Sequence, residues 1–196
     1  MKFADLNEKA KDKARDEARD WNVDHDWWIY TYEDAIECGK LLGIDIKSKD
    51  LAFSGFSHQG SGASFTGRYS SIPNVVKNIA EHAPQDETLH AIARELTVFQ
   101  VTMRLHTGDE MSANIKHAGR ECHSMTMYID ETWAVFGTGV GQDHTQERID
   151  ILLGLMRRFA DWIYKRLQDE YEYLTSDECI DEALAEHDFE EDGTMI

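Results

Sequence analysis

Apolar residues near the end of the chain recur at steps of three, four and seven, the spacing of one face of an α-helix. The longest such run extends from about Thr145 to Tyr173. Its apolar positions are Ile149, Leu152, Met156, Phe159, Ile163, Leu167 and Leu174. We therefore predict one long helix here, with this face buried as the main helix of the core.

A narrower apolar stripe predicts a second helix over residues 5–21. Acids stand three residues before bases at Glu8–Lys11, Asp12–Arg15 and Asp16–Arg19. Pairs at this spacing stabilise a helix by about 0.2–0.5 kcal/mol each. The stripe itself consists of Leu6, Ala10, Ala14, Ala18 and Trp21. This pattern is typical of a solvated helix that packs through an edge of small residues.

Capping residues and helix-ending residues predict four shorter helices. One runs from Thr31 to Leu42, with Thr31 as its cap and Gly43 as its stop. Two more span residues 74–82 and 86–100. A last short helix begins at Thr175, because Thr175-Ser176-Asp177-Glu178 has the pattern of a capping box.

Two pairs of segments carry strand signals on either side of a glycine-containing turn. The first pair is Asp50–Phe56 and Ala63–Tyr69. The second pair is Met111–His117 and Cys122–Ile129, joined by a turn at Ala118–Glu121. Apolar and polar side chains alternate along the second arm of this pair, as in a strand with one buried face. Each pair predicts a β-hairpin.

These elements predict an α+β fold, in which a small antiparallel sheet of two hairpins packs against several helices and the long core helix lies near the C-terminus. With 196 residues, the chain is long enough for one domain and an appended element. We predict a single α+β domain over residues 1–174 and an acidic C-terminal helix and tail over residues 175–196.

Charge is distributed unevenly along the chain. There are 38 acidic and 20 basic residues, a net charge of −18, and twelve of the acids lie from Asp169 onward without a single Lys or Arg. Such a surface repels phosphate backbones and anionic lipids, which argues against direct binding to nucleic acid or membrane. It attracts a basic partner. The predicted partner-binding residues are Asp177, Glu178, Asp181, Glu182, Glu186, Asp188, Glu190, Glu191 and Asp192.

The cellular compartment is predicted from three features that the sequence does not show: a membrane span, an apolar leader and a disulfide pattern. No apolar run is long enough to span a membrane, and the first residues lead into a charged helix rather than an apolar leader. The cysteines Cys38, Cys122 and Cys179 are odd in number and far apart, which is unlike a disulfide framework. We therefore expect a protein of a reducing cytoplasm.

A glycine- and serine-rich loop between the first two strands is the most distinctive local motif. Glycines let a backbone expose its N–H groups to an anion or to a partner's backbone. The loop lacks the Gly-Lys-Ser/Thr ending of a phosphate-binding loop and contains no Gly-x-Ser-x-Gly nucleophile motif. A structural hairpin loop and a binding loop both remain open. The candidate ligand-binding residues are Ser54, His58, Gln59, Gly60, Ser61 and Gly62.

Two histidines of the second hairpin extend this candidate site. With a short turn, His117 and His123 would face each other across the ladder, beside Lys116. Such a pair could act on a substrate or bind an anion, although surface or structural histidines fit the same pattern. Two ligands make a poor zinc site, so we predict no metal here. We also assign no cofactor and no catalytic residue, and expect a binding protein rather than an enzyme. Residues 137–141 and 24–26 are predicted to be a glycine-rich loop and a solvated segment.

Several short stretches form a recognisable set. They are Trp27-Trp28 with Tyr32-Glu33-Asp34-Ala35, the loop Phe53-Ser54-Gly55-Phe56-Ser57-His58-Gln59-Gly60-Ser61-Gly62-Ala63-Ser64-Phe65, Ala83-Pro84-Gln85-Asp86, Lys116-His117 with His123-Ser124, and Tyr171-Glu172-Tyr173-Leu174-Thr175-Ser176-Asp177-Glu178. Together they resemble a family of small tailed-bacteriophage proteins, some labelled as the antitoxin of a toxin–antitoxin stability system. The resemblance covers nearly the whole chain in the same order.

The loop departs from that family at two positions. Where the family's loop usually reads Ser-Gln-Gly-Asp-Gly, this chain has His58 and Ser61 in place of the Ser and the Asp. A catalytic or metal-binding role of that Asp therefore does not carry over. The resemblance implies no established reaction.

Two functions are compatible with these observations. The first is a phage accessory protein that binds and neutralises a basic host or defence protein, in the manner of an antitoxin or an anti-defence inhibitor. Its ordered carboxylates would imitate the phosphates of a nucleic acid. The second is a nucleotide or small-ligand binding protein, even a weak enzyme, that uses the glycine-rich loop and the histidine pair.

Overall fold

A computed structural model describes residues 1–107, 111–120, 122–132 and 143–196. Within these ranges, the contacts between residues divide the chain into two compact units. We call Thr31–Arg166 the central unit and the combination of Met1–Tyr30 with Leu167–Ile196 the terminal unit. The acidic C-terminal segment is thereby grouped with the first helix, so this division differs from the boundary predicted after residue 174.

The central unit contains one antiparallel sheet with the strand order β1-β2-β3-β4. The strands are β1 Ile44–Phe53, β2 Ala63–Ser70, β3 Ser112–His117 and β4 Met127–Thr132. Neighbouring strands are all antiparallel, and β1 carries an irregularity between Ile46 and Leu51. The predicted α+β class and both predicted hairpins are confirmed.

The first strand begins at Ile44, six residues before the position that the sequence predicted. The residues that were missed are mostly polar and exposed, with only Ile44 and Ile46 buried. They belong to an edge strand, where one side of the backbone faces solvent and a continuous apolar pattern is not required. At the preceding turn, Gly43 ends the helix as predicted, with φ at +84°.

The second hairpin differs from the prediction in its second arm. Residues Ser124–Thr126 form a 3-10 turn, and the strand begins only at Met127. The predicted alternation from Cys122 onward is therefore wrong, and Met125 is exposed whereas Met127 is buried. The side chain of His123 caps the turn by accepting a hydrogen bond from the backbone N–H of Met125 at 3.0 Å. This cap ends the extended conformation before the ladder starts.

Four helices lie wholly or mostly in the central unit. These are α2 Ile29–Leu42, α3 Val75–His82, α4 Glu87–Thr107 and α5 Asp143–Leu174, of which α5 is the predicted long helix. In the core of the central unit, the rings of Phe65 and Phe159 meet edge to face at 5.9 Å between centroids, and Gln100 donates to the hydroxyl of Tyr69. Along the predicted apolar face of α5, the middle residues from Leu152 to Leu167 are buried, whereas Ile149 and Leu174 at its ends are half-buried.

The terminal unit is built around α1 Glu8–Ala18 and α6 Asp177–Leu184. The predicted small-residue stripe of α1 is buried at Ala10, Ala14 and Ala18, and its three acid–base pairs at i and i+3 are formed. The cap of α6 is Ser176, which accepts a hydrogen bond from the N–H of Cys179, one residue after the predicted cap. None of the described helices is long and apolar enough to cross a membrane. The predicted loop at 137–141 lies outside the described residues.

Candidate functional site

The C-terminal acidic segment is folded against α1 by a small apolar core. At its centre, small residues of α1 leave room for Ile180 and Leu184 of α6, and Phe189 lies against Phe3 with ring centroids 5.9 Å apart. The N–H of Phe189 also donates to the carbonyl of Met1. The segment is therefore an ordered part of the terminal unit. The core consists of Phe3, Leu6, Ala10, Ala14, Ala18, Ile180, Leu184 and Phe189.

Two aspartates on one strip of α6 meet Arg15 of α1 and Arg19, the residue that caps the C-terminal end of α1. Arg15 donates to both carboxylate oxygens of Asp181, from Nε and Nη2, at 2.7 Å each. One turn away, Arg19 donates from Nη1 to Asp177 at 2.6 Å. These hydrogen bonds raise the pKa of Arg15 and lower the pKa of Asp177. The spacings i and i+4 on both helices make this a two-rung ladder of charge-assisted hydrogen bonds.

Two more aspartates beyond α6 also meet bases from the start of the chain. Lys2 lies 3.2 Å from Asp188, and Lys13 lies 2.8 Å from Asp192. The hydrogen bond from Lys13, together with those from Thr194, lowers the pKa of Asp192. Four of the nine predicted partner-binding carboxylates are therefore engaged by this protein's own bases, an arrangement that no local pattern of the sequence predicts.

The five glutamates of the predicted set lie differently. All five are exposed, and none forms an ion pair with another residue in the ranges that the structure describes. On α6, each residue advances the direction of the side chain by about 100°, so Glu178 and Glu182 form a strip beside that of Asp177 and Asp181. We call this exposed set the glutamate ridge; it consists of Glu178, Glu182, Glu186, Glu190 and Glu191.

The glycine-rich loop of the central unit is closed by its own hydrogen bonds. Ser54 and Gly62 exchange bonds, since the N–H of Gly62 donates to the Ser54 hydroxyl and the N–H of Ser54 donates to the Gly62 carbonyl, both at 3.0 Å. The predicted residues between them are mostly exposed, with His58 N–H donating to Ser61 Oγ. The loop is thus a structured hairpin connection, and the ligand-binding role of its tip, including Gln59 and Gly60, stays a prediction.

The structure separates the predicted histidine pair. In the ladder, His117 pairs with Met127, so the predicted arrangement with His123 opposite His117 is wrong. The physical reason is the 3-10 turn, which lengthens the connection between the strands. Lys116 points away from the face of His117, because successive strand residues alternate, and it pairs with Asp130.

His123 instead packs against the glycine-rich loop. A Cβ atom at Gly62 would lie 2.9 Å from Cδ2 of His123, so this position accepts no larger residue without a shift. Next to it, the Ser54 hydroxyl lies 3.4 Å from the carbonyl oxygen of Cys122. Of the predicted ligand-binding residues, Ser54, Gly62 and His123 are thus brought together, while Lys116 and His117 point to opposite faces of the sheet.

The central unit contains a third group of reactive side chains that the sequence did not predict. Asp34 and Cys38 lie one helical turn apart on α2, and His82 lies in the last turn of α3. One donor atom from each lies within 4.8 Å of the other two, and His82 Nε2 is 3.5 Å from Asp34 Oδ1. The i, i+4 spacing of Asp34 and Cys38 was visible in the sequence, but nothing in it placed the distant His82 beside them.

This group opens into a cleft of about 380 Å³. Asp86 lies on its wall and accepts hydrogen bonds from Trp162 Nε1 at 2.7 Å and from the N–H of Leu89 at 2.9 Å. Arg166 also lines the cleft and is exposed. Burial raises the pKa of the Cys38 thiol to about 12, with the nearby Asp34 carboxylate acting in the same direction. The cleft thus joins a neutral buried thiol, an acid, an imidazole and a guanidinium.

Comparison with known proteins adds a family but no function. Neither curated proteins nor solved structures give a significant match. A family model described as a domain of unknown function, DUF8835, matches residues 27–177. The match includes the cleft residues Asp34, Cys38 and His82 and ends at the first residue of α6. The chain therefore belongs to the DUF8835 family.

Proposed function

We propose that this chain is a phage-encoded accessory protein that binds and neutralises a basic host or defence protein through the glutamate ridge. The phage origin and the antitoxin-like role rest on the resemblance described above. The observation that carries the binding proposal is the division of the acidic residues, in which the aspartates pair internally and the glutamates stay exposed.

This division favours a binding surface over a solvated tail. The Cβ atoms at i and i+4 of a helix lie about 5–6 Å apart, so α6 fixes the positions from which the Glu178 and Glu182 side chains extend. The ladder to α1 restrains the helix that carries them. A partner with lysines or arginines at a matching separation would meet charges that are already in place, which reduces the entropy lost on binding.

An exposed set of carboxylates also suits one class of target. Proteins that bind nucleic acid present basic clefts to a phosphate backbone. A rigid acidic ridge can occupy such a cleft, so the proposed target is a nucleic-acid-binding protein, such as a nuclease of a toxin or defence system. The net charge of the terminal unit, with twenty acidic and six basic residues, would accelerate the encounter at low salt.

Affinity capture from a bacterial lysate with matched baits tests the proposal. The ridge variant carries Glu178→Gln, Glu182→Gln and Glu186→Gln. The control variant carries Glu17→Gln, Asp24→Asn and Asp26→Asn, which removes the same charge from exposed positions elsewhere in the terminal unit. We expect the wild type and the control to retain a basic protein at low salt and the ridge variant to lose it.

Two results would overturn this function. One is a wild-type bait that retains no specific protein at low salt. The other is a partner that binds the ridge variant as well as it binds the wild type. Because binding of this kind is electrostatic, raising the salt concentration should release a true partner from the wild type progressively.

A further inference from the structure

The cleft of the central unit contains a donor set that no function described so far uses. Asp34 offers a carboxylate oxygen, Cys38 a sulfur and His82 a ring nitrogen, all mutually within 4.8 Å. The three come from two helices whose packing fixes them, since Asp34 and Cys38 lie on one face of α2 and His82 ends α3. The side chains of His82 and Asp34 are 36% and 43% exposed, whereas Cys38 is buried, so the set is open on one side.

The chemistry of the donors selects the ion. Calcium and magnesium take oxygen ligands almost exclusively, whereas zinc accepts thiolate, imidazole and carboxylate together. Bonds of the usual zinc lengths place tetrahedral donors about 3.5 Å apart. The distance of 3.5 Å between His82 Nε2 and Asp34 Oδ1 already matches that separation.

We propose that Asp34, Cys38 and His82 bind one zinc ion, with a fourth coordination position open to the cleft. On binding, the Cys38 thiol loses its proton to solvent and forms the Zn–S bond. The thiolate and the Asp34 carboxylate then neutralise the two positive charges of the ion. Three protein ligands with an open position are the arrangement of zinc sites that bind an exchangeable water or ligand.

The walls of the cleft define what the fourth position accepts. The carboxylate of Asp86 is held by Trp162 and Leu89, so it shapes the wall and is not needed as a ligand. Arg166 lines the same cleft and supplies a positive charge. A metal-bound water or a small anion, such as a carboxylate or a phosphate, fits this combination of an ion and a guanidinium.

Cobalt binding to the full chain, prepared without a histidine tag, tests the site directly. Cobalt(II) replaces zinc in such sites, and a bound thiolate gives a charge-transfer band in the near ultraviolet. We expect this band to appear at one equivalent of Co²⁺ and to disappear when one equivalent of Zn²⁺ is added. The Cys38→Ser variant should lose the band, whereas Cys122→Ser and Cys179→Ser should keep it.

Variants of the two partly exposed ligands control for misfolding of the Cys38 variant. His82→Gln and Asp34→Asn change side chains at the rim of the cleft, and circular dichroism reports whether each variant folds. We expect each to weaken zinc binding by ten- to a hundredfold or more, measured by competition with a chromogenic chelator. The site is disproved if wild type shows no thiolate–cobalt band, if Cys38→Ser keeps it, or if the two folded rim variants bind zinc like wild type.

Discussion

In the acidic C-terminal segment, four aspartates each lie against a lysine or an arginine, whereas in the central unit a cysteine, an aspartate and a histidine share one cleft with an arginine on its wall. The first region has much charge and pairs a large part of it internally at the surface. The cleft has fewer charged groups but contains a buried ionisable thiol beside a carboxylate. The density of charge in a segment is therefore a poor measure of its availability to a partner.

The stability of the two regions is also expected to depend on pH in opposite ranges, acidic for the first and alkaline for the second. In the terminal unit, Arg19 and Lys13 lower the pKa of Asp177 and Asp192 below 3.8, so the stability from these pairs is present above that value and is lost as the pH falls through the lowered pKa. In the central unit, burial raises the pKa of Cys38 from 9.0 to about 12. Its contribution is complete below pH 9.0 and decreases as the pH rises toward about 12.

The largest effect is expected from a change that detaches the acidic segment. Gly193 has φ at +90°, and a Cβ atom there would lie 2.2 Å from the carbonyl oxygen of Ala10. The strained φ costs about 1–2 kcal/mol, and relieving the overlap moves the backbone, so we expect Gly193→Ala to destabilise this docking by roughly 3 kcal/mol. Hydrogen exchange should show loss of protection at the N–H of Phe189, which donates to Met1.

A second glycine separates the cost of the positive φ from the cost of the steric overlap. Gly60 has φ at +91°, but a Cβ atom there would meet nothing within 4 Å. Gly60→Ala should therefore cost only the conformational part, about 1–2 kcal/mol, and leave the terminal unit unchanged. Equal effects of the two substitutions, or unchanged exchange at Phe189 in Gly193→Ala, would show that the segment is not docked as described.

The next effect concerns the buried thiol at alkaline pH. With a pKa of 9.0 in the unfolded chain and about 12 in the fold, Cys38 should reduce the free energy of unfolding by about 2 kcal/mol at pH 10.5 relative to pH 7. Cys38→Ala has no thiol to ionise and should lack this part of the loss. Urea titrations of both proteins at the two pH values measure the difference.

Tyr32 is the internal control for that measurement. Burial raises its pKa also to about 12, so its contribution to the alkaline loss is present in both proteins and cancels in the comparison. If wild type and Cys38→Ala lose the same stability between pH 7 and pH 10.5, the thiol is solvated and the cleft is not built as described.

The contrast between the two regions also explains which features of the structure could be predicted from the sequence. Periodicity predicted the long helix, both hairpins and the small-residue edge of α1, because each of these signals is local. The turn at Ser124–Thr126 was missed, since the alternation of Met125 and Met127 matched a strand while the cap by His123 decided the backbone. Partnerships across the chain, such as Arg15 with Asp181 or Cys38 with His82, depend on packing and left no local pattern.

The smallest expected effect is the difference between two aspartates that both pair with Arg15. This difference is also the sharpest test of whether the aspartates of the acidic segment are engaged internally while its glutamates stay exposed. Arg15 donates two hydrogen bonds of 2.7 Å to the carboxylate of Asp181. It also donates one of 3.2 Å to Asp12 of its own helix. The Asp181 side chain is 35% exposed and that of Asp12 is 70% exposed. Solvent therefore screens the Asp12 pair more strongly.

Substitution by the isosteric amide isolates the charge in each pair. We expect Asp181→Asn to reduce the free energy of unfolding of the terminal unit by about 1 kcal/mol, because a charge-assisted pair is lost while Arg15 stays half-buried. Asp12→Asn should cost about 0.2–0.5 kcal/mol, the value of an exposed pair within one helix. Urea titration at low and at high salt measures both. If Asp12→Asn is as costly as Asp181→Asn, the ladder between α1 and α6 does not hold the acidic segment, and the fixed spacing of the glutamate ridge loses its structural basis.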